Sequence, residues 1–332
     1  MPQYANAAES TSAASPWRQQ ARSPLLAAGI VILALAAIYL FGNRDSGLVT
    51  QSIVSGLLLG GVYALVSIGL TLIFGVLGVV NFAHGAMLTL ALYFVYALTT
   101  SAGIPVYLST LIAVPLMFGF GFLVQRLLLN KLTTEGSHEG PLLITLGLQL
   151  LIVNTLLMVF GGRPVSVPGS VDGSLRVFGA VATYERLIAF FGALLVAALL
   201  TLLLRRTSFG MSIRSVASNA QGAALVGVNV GRVYAMTFGI GAACVAVAGG
   251  LTAPFTSLTP TVGESFTVLA FVIVVLGGLG SVVGAITGGL IIGLVQTIGA
   301  LYLPGTGALL LVFVVFVLVL LFRPQGLFGV RP

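Results

Sequence analysis

Residues 266–322 contain no Asp, Glu, Lys or Arg. A stretch this long and apolar cannot lie on the surface of a water-soluble globule. Charge is scarce elsewhere too. Hydrophobic residues make up 58% of the chain and charged residues 6%, where an average soluble domain is about 25% charged. Fourteen Lys and Arg with seven Asp and Glu are too few to solvate 332 residues. A soluble enzyme, a nucleic-acid-binding protein and a disordered chain are therefore excluded. So is a transmembrane β-barrel, whose strands alternate polar and apolar residues. In lipid every backbone N–H and C=O must be satisfied internally, which leaves helices. The expected fold is an all-α polytopic transmembrane bundle.

At 1.5 Å per residue, about 20 residues cross the ~30 Å hydrocarbon layer. That length divides the chain into spans near 24–42, 48–74, 86–100, a fourth ending near Leu129, then 141–160, 187–204 and 233–251. The region 266–322 is broken at 277–281 and 304–307 into three further segments. About ten spans result, or eight to nine if one segment is re-entrant. Residues 1–23, rich in Ala, Ser, Gln and Pro, read as a mobile cytoplasmic tail rather than a signal peptide. The transmembrane body is 24–323, with a basic loop at 205–232, and 324–332 forms a short cytoplasmic C-terminal tail.

Orientation follows from the cations. With ten spans and an inside N-terminus, the inside holds Arg18, Arg22, Arg126, Lys131, Arg205, Arg206, Arg214, Arg232, Arg323 and Arg331. Only Arg44, Arg163, Arg176 and Arg186 fall outside. This asymmetry predicts that both termini are cytoplasmic. The single cysteine, Cys244, excludes an intrachain disulfide.

Chemistry-bearing motifs are sparse. The only histidines are His84 and His138, so no H-E-x-x-H zinc site exists. Lys131 is the only lysine and does not follow glycine, so no phosphate-binding P-loop exists. No metal or cofactor is expected on this chain, and an ATP-driven activity would need another chain to hydrolyse ATP. Intramembrane carboxylates, common in ion-coupled transporters, are nearly absent. Glu264 stands at a span entrance, expected at the outer mouth.

Three stretches carry information. Residues 69–85, GLTLIFGVLGVVNFAHG, embed Asn81 and His84 among glycines that include Gly75, Gly78 and Gly85. Unsatisfied polar groups are costly in lipid. One reading is a broken helix lining a pathway; the other is a turn at the cytoplasmic end, with Asn81 capping the next helix and His84 paired to backbone. Residues 276–289 carry Gly277, Gly280, Gly284 and Gly288, a small-xxx-small spacing suited to close helix packing. Gly56 and Gly60 form another such pair. The segments 75–80 and 277–282 are alike enough to suggest an internal repeat. In the loop 205–232, residues 215–229 can form a short helix capped by Asn219. Its apolar face, Ala220, Ala223, Ala224 and Leu225, either docks on a partner or belongs to an ordinary loop that fixes topology.

The 69–85 stretch, TSFGMSIRSVASN at 207–219 and VVLGGLGS at 274–281 resemble, in order and spacing, the signatures of branched-chain amino-acid ABC transporter permeases of the LivH type. The similarity runs from about Leu48 to Phe328. It implies an importer subunit of the bacterial inner membrane that pairs with a second, related permease and two cytoplasmic ATPases. ATP and Mg would be bound by those ATPases, and an extracytoplasmic binding protein would deliver the solute. QGAALVG at 221–227 aligns with the E-A-A-x-x-x-G coupling motif, with Gln221 in place of Glu, Gly222 in place of Ala, and Ala223 and Gly227 matching. Asn81, His84, Gly85 and Glu264 are the candidate pathway residues. Asn219, Gln221, Gly222, Ala223 and Gly227 are the candidate coupling residues. Related permeases carry urea or short amides, so another small neutral solute is the alternative. A stand-alone secondary transporter or a structural membrane subunit would be the rival classes.

Overall fold

The computed structural model describes residues 46–130, 139–169 and 171–329. The tail at 1–23, the candidate first span at 24–42, and Lys131, Glu135 and His138 lie outside the described residues. The helices in chain order are α1 (Ser46–Leu77), α2 (His84–Ala102), α3 (Val106–Val124) and α4 (Glu139–Phe160). They continue as α5 (Tyr184–Arg206), α6 (Ser208–Ser218), α7 (Ala220–Leu225) and α8 (Val230–Thr252). The last three are α9 (Val262–Gly277), α10 (Val282–Tyr302) and α11 (Gly307–Phe322). A π-helical turn, Gln125–Leu129, extends α3, and a 3₁₀ turn, Ala253–Phe255, extends α8. Among the described residues seven helices are long and apolar enough to cross a membrane, and α9 and α11 are shorter apolar helices.

Consecutive helices run in opposite directions, so the bundle has two ends. Arg126, Arg205, Arg206, Arg214, Arg232 and Arg323 collect at one, here the basic end. The other carries the two strands found among the described residues. Strands β1 (Ser174–Val177) and β2 (Ala180–Thr183) form an antiparallel hairpin within the segment expected to be loop. Its two-residue turn places Phe178 at φ 52° and Gly179 at φ 86°, both left-handed as a type I′ turn requires. The side-chain amide of Gln51 on α1 then acts as a third strand, donating to Val181 O (2.9 Å) and accepting from Val181 N–H (2.7 Å).

Helices α1 and α8 form the centre, and α4 and α5 lie on the periphery with most of their surface exposed. Glycine lets the central helices approach backbone to backbone. On α1, a Cβ at Gly60 would lie 2.8 Å from Leu290 Cα on α10; on α10, one at Gly289 would lie 2.5 Å from Ala64 N on α1. Gly56 meets Gly293 and Leu294 in the same seam. Gly284 abuts the backbone of Gly277, and Gly288 packs on Ile273. These small-xxx-small stripes therefore pack helices of this chain against each other. Gly75 and Gly280 also lie together, a Cβ on Gly75 reaching 3.1 Å from Gly280 Cα. The two look-alike segments, 75–80 and 277–282, are thus helix ends side by side at the basic end.

The loop 205–232 is ordered by three successive N-caps. Thr207 Oγ1 accepts from Gly210 N–H (3.0 Å), Asn219 Oδ1 from Gly222 N–H (2.8 Å) and Asn229 Oδ1 from Arg232 N–H (2.9 Å). Each cap is worth about 1 kcal/mol. Replacing Asn229 with alanine is expected to lower stability by that amount, read as a shift in thermal melting of the detergent-solubilised protein.

Candidate functional site

Two breaks in helix enter the bundle from opposite ends. After Leu77 the chain turns at Gly78 (φ 67°) and runs back alongside α1 to His84, where α2 begins. His84 Nε2 lies 2.9 Å from Val66 O. About 16 Å of helix separates Val66 from Leu77, so α2 starts well inside the bundle. From the hairpin end, residues 256–261 descend in the same manner to the start of α9. Leu258 is held by a bridge to Val165, with N–H···O distances of 2.8 and 3.0 Å.

The two helix N-termini meet. Gly85 N–H donates to Thr267 Oγ1 (3.0 Å), whose hydroxyl donates to Gly263 O (3.0 Å). Gly263 N–H donates to Thr89 Oγ1 (3.0 Å), whose hydroxyl donates to Gly85 O (3.1 Å). Four bonds close a ring related by an approximate two-fold axis. Any Cβ on Gly85 would run into Gly263 O and Thr267 Oγ1, and any on Gly263 into Gly85 O and Thr89 Oγ1. Neither threonine was a sequence candidate. The matching Gly-x-x-x-Thr at 85–89 and 263–267 was the available signal.

Asn81 and His84 are fully buried beside this junction. Asn81 Oδ1 accepts from Ala83 N–H (3.1 Å), shaping the approach to α2, and its Nδ2 is buried without a partner. A carbonyl only accepts, so His84 Nε2 carries the proton toward Val66, and Nδ1 is left a buried acceptor with no partner. Asn81 therefore bonds as a turn residue and His84 pairs with backbone, but inside the bundle rather than at its cytoplasmic edge.

Glu264 lies next to Gly263 in the first turn of α9, with Ser265 and Thr261 also exposed on this chain. The segment 256–261 brings it level with Gly85, whose backbone lies against Gly263. Its side chain is exposed on this face of α9.

In the loop at the basic end the candidates separate. Ala223 is buried against its own chain, where the sequence offered no span for it to pack on. Gly227 (φ 89°) closes α7 with a Schellman pair, Val228 N–H to Ala223 O and Gly227 N–H to Ala224 O, both 3.0 Å. Gly222 suits the cap, since a Cβ there would sit 3.2 Å from the Asn219 side chain. Asn219, Ala223 and Gly227 thus hold the loop's shape, and Gln221 points out. The projecting apolar residues are Leu225, 90% exposed, and Val226, 80% exposed.

The clamp is testable. Thr89→Val keeps the shape of the side chain and leaves Gly263 N–H buried without an acceptor, an expected loss of about 1–3 kcal/mol. Thr89→Ser retains the bond and is expected to melt within a few degrees of wild type.

No solved structure matches this chain. Among known proteins it is 32% identical to the high-affinity branched-chain amino acid transport system permease protein BraD of Pseudomonas aeruginosa, covering 85% of this chain and 96% of the relative. It is 31% identical to LivH of Escherichia coli K12 over the same shares. The ribose import permease protein RbsC of Bacillus subtilis is 27% identical, covering 69% of this chain and 70% of the relative. The family described as branched-chain amino acid transport system / permease component matches residues 52–321, and the chain belongs to that family of membrane permeases.

Proposed function

We propose that this chain is a membrane-spanning subunit of an ATP-driven importer, translocating branched-chain or other small apolar amino acids handed over by a binding protein outside the cell. It works with a second, related permease and two cytoplasmic ATPases in a bacterial inner membrane, and its basic end is cytoplasmic. The observation that carries the reading is the junction of α2 and α9, with Glu264 exposed beside it. Two helix N-termini converge there, and their aligned peptide dipoles favour a carboxylate. Glu264 favours an ammonium group. Side by side, these suit the two charges of a zwitterionic amino acid. A neutral sugar, the solute named for RbsC, would have no use for Glu264.

The basic end supports the partner reading. Three caps and a Schellman turn hold α6 and α7 rigidly while Leu225 and Val226 project. That is the form of a small apolar knob that fits a partner's groove.

Glu264→Leu is the test, with uptake of labelled leucine measured in cells carrying all the partner subunits. Uptake is expected to fall roughly ten-fold or more, the equivalent of ~1.4 kcal/mol, at unchanged membrane level, and Glu264→Gln is expected to fall less. Unchanged leucine uptake by Glu264→Leu would remove the zwitterion assignment. Purification in mild detergent tests the assembly: a second permease and two ATPases are expected to come with the chain. A chain that purifies alone, where comparable complexes survive, would favour a secondary transporter.

A further inference from the structure

The family relationship does not account for two adjoining cavities at the basic end. One, about 340 Å³, lies between α1, α5, α6 and the start of α10. Thr71, Arg205, Arg214 and Ser281 line it. The other, about 550 Å³, is an open groove along the outside of α5, walled by Leu194, Ala198, Leu202 and Ile286 and ending at Arg205 and Arg206. Thr201 and Arg205 line both, so the two adjoin across these side chains. We propose that this combined site holds one anionic phospholipid, its phosphate between Arg205 and Arg214 and an acyl chain along the α5 groove.

Four observations on the inner cavity point to an anion. Arg205 and Arg214 have no carboxylate partner among the described residues, and neither does Arg206 at the rim. Arg214 reaches across to Leu204 at the cavity wall, its Nη1 donating to Leu204 O. The N-terminus of α10, a helix of 21 residues, opens on the cavity through Ser281, Val282 and Val283, and a helix N-terminus favours negative charge. Thr71 lines the same cavity, and its buried Oγ1 has no partner within the chain, leaving a hydroxyl donor unused at the cavity wall.

The apolar groove decides the kind of anion. Free phosphate needs no groove, and an acidic protein segment would not fill one walled by Leu194, Ala198 and Leu202 at membrane depth. A second permease is the competing occupant. A related permease would bring its own excess of cations to the same membrane face, opposing Arg205, Arg206 and Arg214. An anionic lipid complements both the charge and the groove.

The test is native mass spectrometry of the complete transporter complex, washed with detergent and then exposed to phosphatidylglycerol, phosphatidylcholine or inorganic phosphate. Wild type is expected to retain phosphatidylglycerol roughly ten-fold more than phosphatidylcholine, since each basic residue near a membrane surface contributes about 1 kcal/mol toward anionic lipid. Arg205→Gln with Arg214→Gln is expected to abolish that preference. Ala198→Trp, at an exposed position, fills the groove without changing charge and is expected to reduce retention as well, so the outcome does not rest on the double variant folding. Equal retention of the two lipids overturns the proposal. So does displacement of phosphatidylglycerol by millimolar inorganic phosphate, or a photo-crosslinker at Leu202 that captures the second permease instead of lipid.

Discussion

Gly263→Ala is expected to cost roughly 3 kcal/mol or more and to leave little folded protein in the membrane. The new Cβ would strike the carbonyl oxygen of Gly85 and the hydroxyl of Thr89. Flexible side chains relieve many such clashes, but here the obstacle is backbone. That backbone is fixed by the same ring of hydrogen bonds the substitution disturbs. Overpacking alone costs about 1–3 kcal/mol, and a buried N–H pushed off its acceptor adds about 1–3 more. Gly85→Ala is expected to match it from the other side. Gly147→Ala and Gly119→Ala are the controls, because a Cβ at either position meets open space. Both lie inside helices, where alanine is favoured over glycine by up to ~1 kcal/mol. Thermal melting followed by size-exclusion chromatography in detergent separates the two classes. If Gly263→Ala melted with the controls, the junction would not be the rigid point the geometry describes.

Leu225→Asp with Val226→Asp is expected to abolish ATP-driven uptake, roughly ten-fold or more, while leaving the protein folded. These side chains make almost no contact within the chain, so folding loses little. A partner's apolar groove, by contrast, would have to desolvate two carboxylates. Ala223→Asp provides the contrast. Ala223 is 4% exposed and packed on its own core, so a charge there is expected to lower the amount of folded protein itself. Measuring membrane level beside leucine uptake distinguishes a lost contact from a lost fold. Full uptake by the Leu225 and Val226 double variant would exclude this knob as the ATPase contact.

Much of the helical organisation can be read from the sequence because its punctuation is local. Gly103 (φ 67°) ends α2 and Gly227 ends α7 in the left-handed conformation glycine tolerates. Residues 277–281 and 304–307 break the last apolar region where glycine and proline said they would. The hairpin escaped because its turn is Phe178-Gly179 rather than the Asn-Gly that marks a type I′ turn. Depth escaped for a more general reason. In an apolar chain a segment running along a helix end and one running back into the bundle have the same composition. Contacts between residues 182 and 174 positions apart, Gly85 with Thr267 and Gly263 with Thr89, bring the two breaks together. Each threonine by itself looks like any helix threonine bonded to the carbonyl four residues before it. The position of Glu264 level with Gly85 follows from the same contacts.

The distance in sequence between those partners bears on how the chain is made. Ribosomes deliver α2 to the membrane well before α9 exists. Until Thr267 has been synthesised, the amide of Gly85 has no acceptor from the other half, and α2 begins inside the bundle with that donor unpaired. An unpaired amide is costly in lipid, so water or another protein is expected to satisfy it until the late half arrives. Nascent chains halted before Gly263 are expected to expose Asn81 and His84 to water-soluble alkylating probes on engineered cysteines nearby, and chains released past Thr267 to shield them.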